Sequence, residues 1–260
     1  MKIFLSALES GGGVHDSLLN DFNRLGLTHF KWNLISYYYG RDEIPAVEEI
    51  RRRSDEILVD SGAHSFQKGA TVDWLTYTRQ YAEFIVRYDA PNVVGFFEMD
   101  VDNIIGYENV KELRKVLEHV SNKIIPVWHK GRGIEDFHEM CKTHKGRVVA
   151  VSGFKNEDIK DDQYLMFLKT AWRYGCSLHC LGMTRRKILD VVPFDYTDSS
   201  SWKQSVIWGR ISDEGKITRE FSRTKRDVAF AESYRQGMKM QEYYFERWRG
   251  VKERCLKEMI

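Results

Sequence analysis

Acidic residues follow several short apolar runs of this 260-residue sequence. Asp60 ends "EILVD", Asp100 and Asp102 follow "VVGFFE", and Asp195 and Asp198 lie in "VVPFDYTD". Carboxyl groups that share one pocket raise each other's pKa, so one can carry a proton while another acts as a base or nucleophile. The pattern indicates chemistry at an electron-poor carbon, such as an anomeric centre.

Two other interpretations of these acids stay open. A single Asp after a strand often caps the next helix, so each acid taken alone can be structural. The same oxygens can also bind a divalent metal ion, because hard cations prefer carboxylate ligands. The histidine spacing of a metal site does not accompany them. We therefore predict neither a metal nor a cofactor.

Further polar residues and one glycine occupy similar places at the ends of apolar runs. They are Ser61, His129, Ser152, Gly153 and His179. Gly153 is a candidate binding residue, since a residue without a side chain lets a ligand approach the backbone. His179 points either into the pocket or into the core, and the core is the commoner place for a lone strand histidine.

The elements that must position these residues alternate along the chain. Candidate strands are "KIFLSAL", "THFKWNLIS", "EILVDSG", "NVVGFFEMD", "KIIPVWH", "RVVAVSG", "CSLHCLG" and "VVPFDYTD". Candidate helices are 16–25, 47–53, 72–88, 109–120, 134–143, 161–174 and 185–189, followed by an amphipathic segment over about 219–260. Eight such units close a parallel barrel whose strand ends meet at one mouth. We predict an α/β fold, with 1–260 forming a single-domain (β/α)8 TIM-type barrel and a C-terminal helical segment; an open doubly wound sheet is the alternative.

Composition favours a cytoplasmic protein with no membrane span. The formal net charge is +2, and the four cysteines are too few for a disulfide framework. The first residues, "MKIFLSALES", become polar too soon for a signal peptide. Basic residues crowd 216–230 and 243–257, where they can contact phosphates, although a solvated helix face is the commoner interpretation. A homo-oligomer or a partner protein stays open.

Five segments in chain order resemble motifs of the tRNA-guanine transglycosylase (queuine tRNA-ribosyltransferase) superfamily. "LVDSGAHSFQ" is similar to its "DSGGFQ" signature, and "FFEMDVD" stands where the family has its base-recognising aspartate. "IPVWHKG" resembles the glutamine-and-glycine segment, and "VVAVSGF" resembles the "IGGL" stretch. "LHCLGM" and "VPFDYTDSSSW" resemble the region with the catalytic nucleophile. The five matches run from about residue 56 to residue 202.

One departure from the family bears on the substrate. Its tRNA-modifying members carry a zinc site with a CxCxxC pattern and a histidine after the last strands. Here Cys255 is the only cysteine beyond Cys180. A compact relative without zinc is similar to the phage-encoded branch that puts 7-deazaguanine bases into DNA. The resemblance thus implies DNA and a base such as preQ0 as partners.

The resemblance also implies roles for the acids in a base exchange through a covalent aspartyl–nucleotide intermediate. Asp198 is the expected nucleophile, with Asp195 as its rival, and Asp60 is the general acid/base. Asp100 or Asp102 accepts hydrogen bonds from the donor edge of guanine. Those two share a face with Glu98 if the strand continues that far. The expected substrate-binding residues are Ser61, Asp100, Asp102, His129, Ser152, Gly153 and His179.

Aromatic residues near the predicted mouth, among them Trp128 and Trp202, can stack on a base, although most aromatics at this density are core. The serines that follow Asp198, together with Trp202, are expected to form a turn that presents Asp198. Three alternative functions stay open. They are a tRNA-guanine transglycosylase lacking the zinc module, a deazaguanine nucleoside hydrolase, and a non-enzymatic nucleic-acid-binding barrel.

Overall fold

The computed structural model describes residues 1–9, 15–66, 72–152, 159–208, 210–211, 215–216 and 226–258. Its main sheet contains nine parallel strands: β1 (Lys2–Ser6), β2 (Phe30–Ser36), β3 (Ser54–Asp60), β4 (Val93–Phe97), β5 (Ile124–Ile125), β6 (Val127–Trp128), β7 (Val148–Ser152), β8 (Ser177–Leu181) and β9 (Tyr196–Ser199). They lie in the order β5-β4-β3-β2-β1-β9-β8-β7-β6. A separate antiparallel pair follows, β10 (Arg210–Ile211) with β11 (Gly215–Lys216).

The two ends of this strand order are neighbours in the chain, because only Pro126 separates β5 from β6. Proline has no N–H to donate to a ladder, so it divides one strand into two short ones. The Pro126 carbonyl accepts from the Ala150 N–H at 2.9 Å, and the Ile125 carbonyl accepts from the Glu98 N–H at 3.0 Å. The sheet is therefore nearly closed, and the predicted α/β barrel of TIM type is confirmed.

Helices occupy the connections between strands, as the alternation predicted. They are α1 (His15–Arg24), α2 (Tyr37–Gly40), α3 (Ile44–Arg53), α4 (Trp74–Tyr88), α5 (Asp102–Ile105), α6 (Tyr107–Glu118), α7 (Gly133–Thr143), α8 (Tyr164–Arg173), α9 (Arg186–Leu189), α10 (Ser201–Ile207), α11 (Arg226–Arg247) and α12 (Val251–Glu258). Short 3-10 turns lie at Ala63–Phe66 and Lys130–Arg132. The described part of the expected C-terminal segment contains two helices, α11 and α12, while residues 219–225 and 259–260 lie outside the described part of the chain.

Helix α10 corrects one expectation. Residues Ser201–Ile207 form a helix in place of the expected loop turn. Trp202 lies in the first turn of this helix. Only 2% of Trp202 is exposed, and its Nε1–H donates to the Ser6 carbonyl at 2.9 Å. Trp202 therefore fixes α10 against the end of β1, and it is not available to stack on a base.

The long C-terminal helix α11 packs on β1 and β2. The Gln241 amide, which is fully buried, donates to the Ile3 carbonyl at 2.7 Å and to the Trp32 carbonyl at 2.8 Å. A Cβ on Gly237 would lie 2.9 Å from a methyl carbon of Leu5, so glycine allows the helix to approach the strand. The segment thus covers the outside of the barrel and completes its helical layer.

The inside of the barrel is filled by apolar side chains, as in a packed core and not a pore. This cluster contains Phe4, Trp32, Leu34, Leu58, Phe97, Ile125, Val127 and Ala150. Two larger clusters fill the space between the sheet and the helices. All four cysteines are free. Among the described helices, none has both the length and the apolar composition needed to cross a membrane.

Candidate active site

Asp60 is the last residue of β3, at the mouth of the barrel where parallel strands end. Its Oδ2 accepts from the Gly62 N–H at 3.1 Å, in the turn that follows the strand. Gly62 has a φ of +71° in this turn. Burial raises the pKa of Asp60 to about 7, and the charges of Asp100, Asp198 and Glu9 add to the rise. Asp60 is therefore a carboxyl group that can hold or release a proton near neutral pH.

Asp198 lies in β9 at the same end of the barrel. Its Oδ1 accepts from the Gly182 N–H at 2.8 Å and lies 3.0 Å from His179 Nε2. Its Oδ2 has no hydrogen-bond partner among the described residues. One oxygen is thus held in place, and the other is available to a substrate.

His179 is buried in β8 with none of its surface exposed, which agrees with the expectation that it lies in the core. Its ring packs edge-on against Phe97, with 4.9 Å between ring centroids. Nδ1 is buried without a partner among the described atoms. The proton therefore belongs on Nε2, from which it is donated to Asp198. His179 is both a core residue and a support for the carboxylate.

Asp100, Asp102 and His129 form a second group at the mouth. His129 Nε2 lies 2.5 Å from Asp100 Oδ1 and 3.8 Å from Asp102 Oδ1. Burial lowers the pKa of His129, but the hydrogen bond to Asp100 and the charges of both aspartates outweigh it and raise the pKa to about 9. One ligand atom from each residue lies within 4.8 Å of the others, so the group can also hold a metal ion.

Glu98 does not belong to that group. Strand β4 ends at Phe97, so the condition under which Glu98, Asp100 and Asp102 would share a face is not met. The buried Glu98 carboxylate accepts from Arg114 Nε at 2.5 Å and from the Val127 N–H at 2.6 Å. Its role is to join the ends of β4 and β6 to α6, which positions the two aspartates that follow.

Asp195 is also placed elsewhere. It precedes β9, so the expectation that it ends the strand beside Asp198 is wrong. Its oxygens accept from Trp172 Nε1 at 2.8 Å, from the Leu178 N–H at 2.8 Å and from Lys252 Nζ at 2.9 Å. These contacts lie at the N-terminal end of the barrel, away from the mouth. The structure does not bring Asp195 to the other acids.

Ser61 and Ser152 lie at the ends of their strands. Ser61 is fully buried, and its carbonyl accepts from the Tyr77 hydroxyl at 2.8 Å, so it supports the turn after Asp60. Ser152 ends β7 opposite Leu181 and is partly exposed. Gly153 lies outside the described residues. Trp128 is 3% exposed and packs in the core, so it is not a rim residue.

Glu9 was missed in the sequence. It follows β1 at the mouth, is 1% exposed, and its Oε1 accepts from the Ser36 N–H at 2.9 Å. Burial raises the pKa of Glu9 to about 7, against the opposing effect of that hydrogen bond. The signal was the same as for the other acids, a carboxyl that directly follows an apolar run, here "KIFLSAL".

The basic C-terminal residues are only partly described. Residues 217–225 lie outside the described part of the chain. Lys252 binds Asp195, and Arg247 donates to the Asp190 carbonyl at 3.0 Å. These two cations therefore hold helices α11 and α12 against the barrel, at the end away from the acids of the mouth.

Five carboxyl groups and two histidines thus meet at the mouth of the barrel: Glu9, Asp60, Asp100, Asp102, Asp198, His129 and His179. No protein-family model matches this chain, and neither curated proteins nor solved structures gave a match.

Proposed function

We propose that this protein is a base-exchange transglycosylase that replaces guanine in DNA by a 7-deazaguanine such as preQ0. The observation that carries the proposal is the contrast between two carboxyl groups at one mouth. Asp198 is held by two hydrogen bonds through Oδ1. Asp60 has a pKa of about 7, raised first by burial. Two carboxyls in different environments are the arrangement that divides nucleophile from proton carrier.

Asp198 is the nucleophile of this proposal. The hydrogen bonds from Gly182 and His179 fix the orientation of its carboxylate, so Oδ2 can approach a sugar carbon in a defined geometry. Oδ2 attacks C1′ of the target nucleotide, and the bond from C1′ to N9 of guanine breaks. The product is a covalent ester between Asp198 and the sugar.

Asp60 carries the proton in both directions. In the first half-reaction its carboxyl group protonates the departing guanine and becomes a carboxylate. In the second it takes the N9 proton of the deazaguanine, whose nitrogen attacks C1′ and releases Asp198. A pKa of about 7 suits this double use, because a general acid/base works best when its pKa lies near the working pH.

Asp100 and Asp102 are suited to reading the base. Guanine and its 7-deaza analogues present N–H donors on one edge, and a carboxylate accepts them. His129, held 2.5 Å from Asp100, fixes the direction of that carboxylate and balances its charge. The target base must leave the helical stack to reach these residues, or the substrate must be single-stranded.

The choice of DNA is supported by the sequence resemblance. The four cysteines are free, and the described part of the chain contains no group of three or more Cys, His, Asp or Glu side chains at metal-binding distance apart from Asp100, Asp102 and His129. The tRNA-modifying members of the resembled family carry a cysteine-based zinc site instead.

The test is incorporation of labelled guanine or preQ0 into DNA and, separately, into tRNA. We expect label in DNA with the wild type and none with Asp198→Asn, while Asp195→Asn keeps activity because its carboxylate is at the other end of β9. Label in tRNA alone contradicts the choice of polymer. Release of free base without incorporation indicates a hydrolase instead.

A further inference from the structure

Glu9 is a buried acid that the proposed reaction does not use. Its side chain is 1% exposed, and Oε2 has no hydrogen-bond partner among the described residues. A buried carboxylate oxygen without a donor is costly when charged. Burial therefore raises the pKa of Glu9 to about 7, so the group gains or loses its charge near neutral pH.

Backbone contacts connect Glu9 to Asp60. Glu9 Oε1 accepts from the N–H of Ser36, and Ser36 is paired with Asp60 in the register of β2 and β3. Gly62, which donates to Asp60, also packs here, since a Cβ on it would lie 2.8 Å from Ser36 Oγ. The two carboxyl groups thus lie on either side of one strand end.

The segment that carries Glu9 is held by α10, the helix that follows Asp198. Lys203 Nζ donates to the Ala7 carbonyl at 2.8 Å, and Ala7 has a φ of +70°, which is rare for a residue other than glycine. Glu9 is therefore kept in place by contacts from two neighbouring elements, at some cost in backbone strain.

The charged and titratable groups around the pair come from four other elements. Lys203 on α10 favours the charged form of Glu9. Asp100 after β4 and Asp198 in β9 favour the neutral form of Asp60. Burial, and to a smaller extent the charge of Asp60, raises the pKa of Tyr77 and Tyr81 on α4. Most neighbours of Asp60 are thus acids, and one charge more or less changes its proton affinity.

We propose that Glu9 is a positioning residue that sets the protonation state of Asp60 through its own negative charge. It touches no reacting atom. When Glu9 is ionised, it helps Asp60 to keep its proton, so that a general acid is present at neutral pH. The catalytic part of this inference rests on the proposed function, but the electrostatic coupling does not.

The coupling is measured without activity, by carbon-13 NMR titration of labelled Asp and Glu carboxyl groups. The variants are Glu9→Gln, the exposed control Glu112→Gln, and Asp60→Asn to assign the Asp60 signal. We expect the Asp60 midpoint to fall by at least about 0.5 pH unit in Glu9→Gln, about threefold in proton affinity, and to stay unchanged in Glu112→Gln. An unmoved Asp60 midpoint in folded Glu9→Gln overturns the inference.

A reciprocal measurement covers the case in which Glu9→Gln does not fold. Coupling between two sites is mutual, so the Glu9 midpoint must fall in Asp60→Asn as the Asp60 midpoint falls in Glu9→Gln. A Glu9 midpoint that is the same in Asp60→Asn and wild type also overturns the inference.

The catalytic consequence is tested by the rate of covalent adduct formation as a function of pH. The first half-reaction needs protonated Asp60, so its rate falls as pH rises through the Asp60 midpoint. In Glu9→Gln we expect this alkaline limit to move to lower pH, with little change in the rate at low pH. An equal loss at every pH means a merely structural role for Glu9 and contradicts the inference. If no adduct forms in the wild type, the proposed function fails, while the NMR result still decides the coupling.

Discussion

Asp195 and Asp198 are three residues apart, yet they lie at opposite ends of strand β9. Asp195 precedes the strand and binds Lys252, Trp172 and the backbone of β8, whereas Asp198 faces the mouth beside His179. A strand rises about 3.3 Å per residue, so three residues separate the two carboxyl groups by roughly 10 Å along the barrel. The two acids therefore have different roles.

Asp195→Ala is expected to lower the free energy of unfolding by about 2–4 kcal/mol, because three donors lose a mostly buried acceptor. Urea unfolding followed by circular dichroism measures this. The folded variant should still exchange bases. Unchanged stability, or loss of exchange in a protein that is still folded, contradicts the structural role of Asp195.

The pH dependence of stability follows from Asp60. Its pKa rises from 3.8 to about 7 on folding, so the folded state binds the proton more tightly than the unfolded chain. This contribution is fully present below about pH 4 and is lost as pH rises through about 7. Wild type should therefore lose stability relative to Asp60→Asn over this range, by about 4 kcal/mol at most.

Asp73→Asn is the control of opposite sign for that measurement. Asp73 caps helix α4, and its hydrogen bonds from Thr76 lower its pKa. Its contribution is present above the unfolded pKa and is lost as pH falls. Wild type should gain stability relative to Asp73→Asn as pH rises. A difference between wild type and Asp60→Asn that does not depend on pH contradicts a raised pKa for Asp60.

Gly62 is expected to tolerate no side chain. It has φ +71°, and a Cβ would lie 2.2 Å from the Cβ of Tyr38. Gly26 has a similar φ of +77° with nothing within 4 Å. Gly26→Ala should cost about 1 kcal/mol of unfolding free energy from strain alone, and Gly62→Ala should cost clearly more and slow base exchange, because its N–H orients Asp60. Equal costs in the two variants, measured by urea unfolding, contradict this close packing.

The group of Asp100, Asp102 and His129 is expected to work without a metal ion. His129 with a pKa of about 9 is a cation at neutral pH and can neutralise the aspartates itself. Base exchange should therefore be unchanged by EDTA and by added Mg²⁺ or Mn²⁺. Loss of activity in EDTA that Mn²⁺ restores, together with Mn²⁺ binding that Asp102→Asn abolishes, establishes a metal site there instead.

Much of the fold was predictable because each βα unit has its own local pattern. The runs "VVGFF" and "VVAVS" became β4 and β7, and the periodicity of 72–88 became α4. Helix α10 was not predictable in this way. The three serines at 199–201, where the helix begins, favour turns, and the helix depends on tertiary contacts such as that of Trp202 with Ser6.

The site was predictable where an acid directly ends its strand, as with Asp60. Prediction failed where the first or last residue of a strand decided the outcome. Because β9 begins at Tyr196, Asp195 lies outside the strand and apart from Asp198. Because β4 ends at Phe97, Glu98 lies beyond the strand and binds Arg114. Glu9 could not be identified as a partner of Asp60, since their contact passes through Ser36, a residue of another strand. A contact that spans three strands depends on the register in which those strands pair, and a local sequence pattern does not contain that register.

Trapping of the covalent intermediate tests the central claim most directly. Enzyme and DNA are mixed without free base, denatured, and separated on a gel, and the linked peptide is identified by mass spectrometry. We predict an adduct on Asp198 that forms with wild type and Asp195→Asn, is absent with Asp198→Asn, and disappears when preQ0 is added. An adduct on any other residue, or one that persists in Asp198→Asn, contradicts the account.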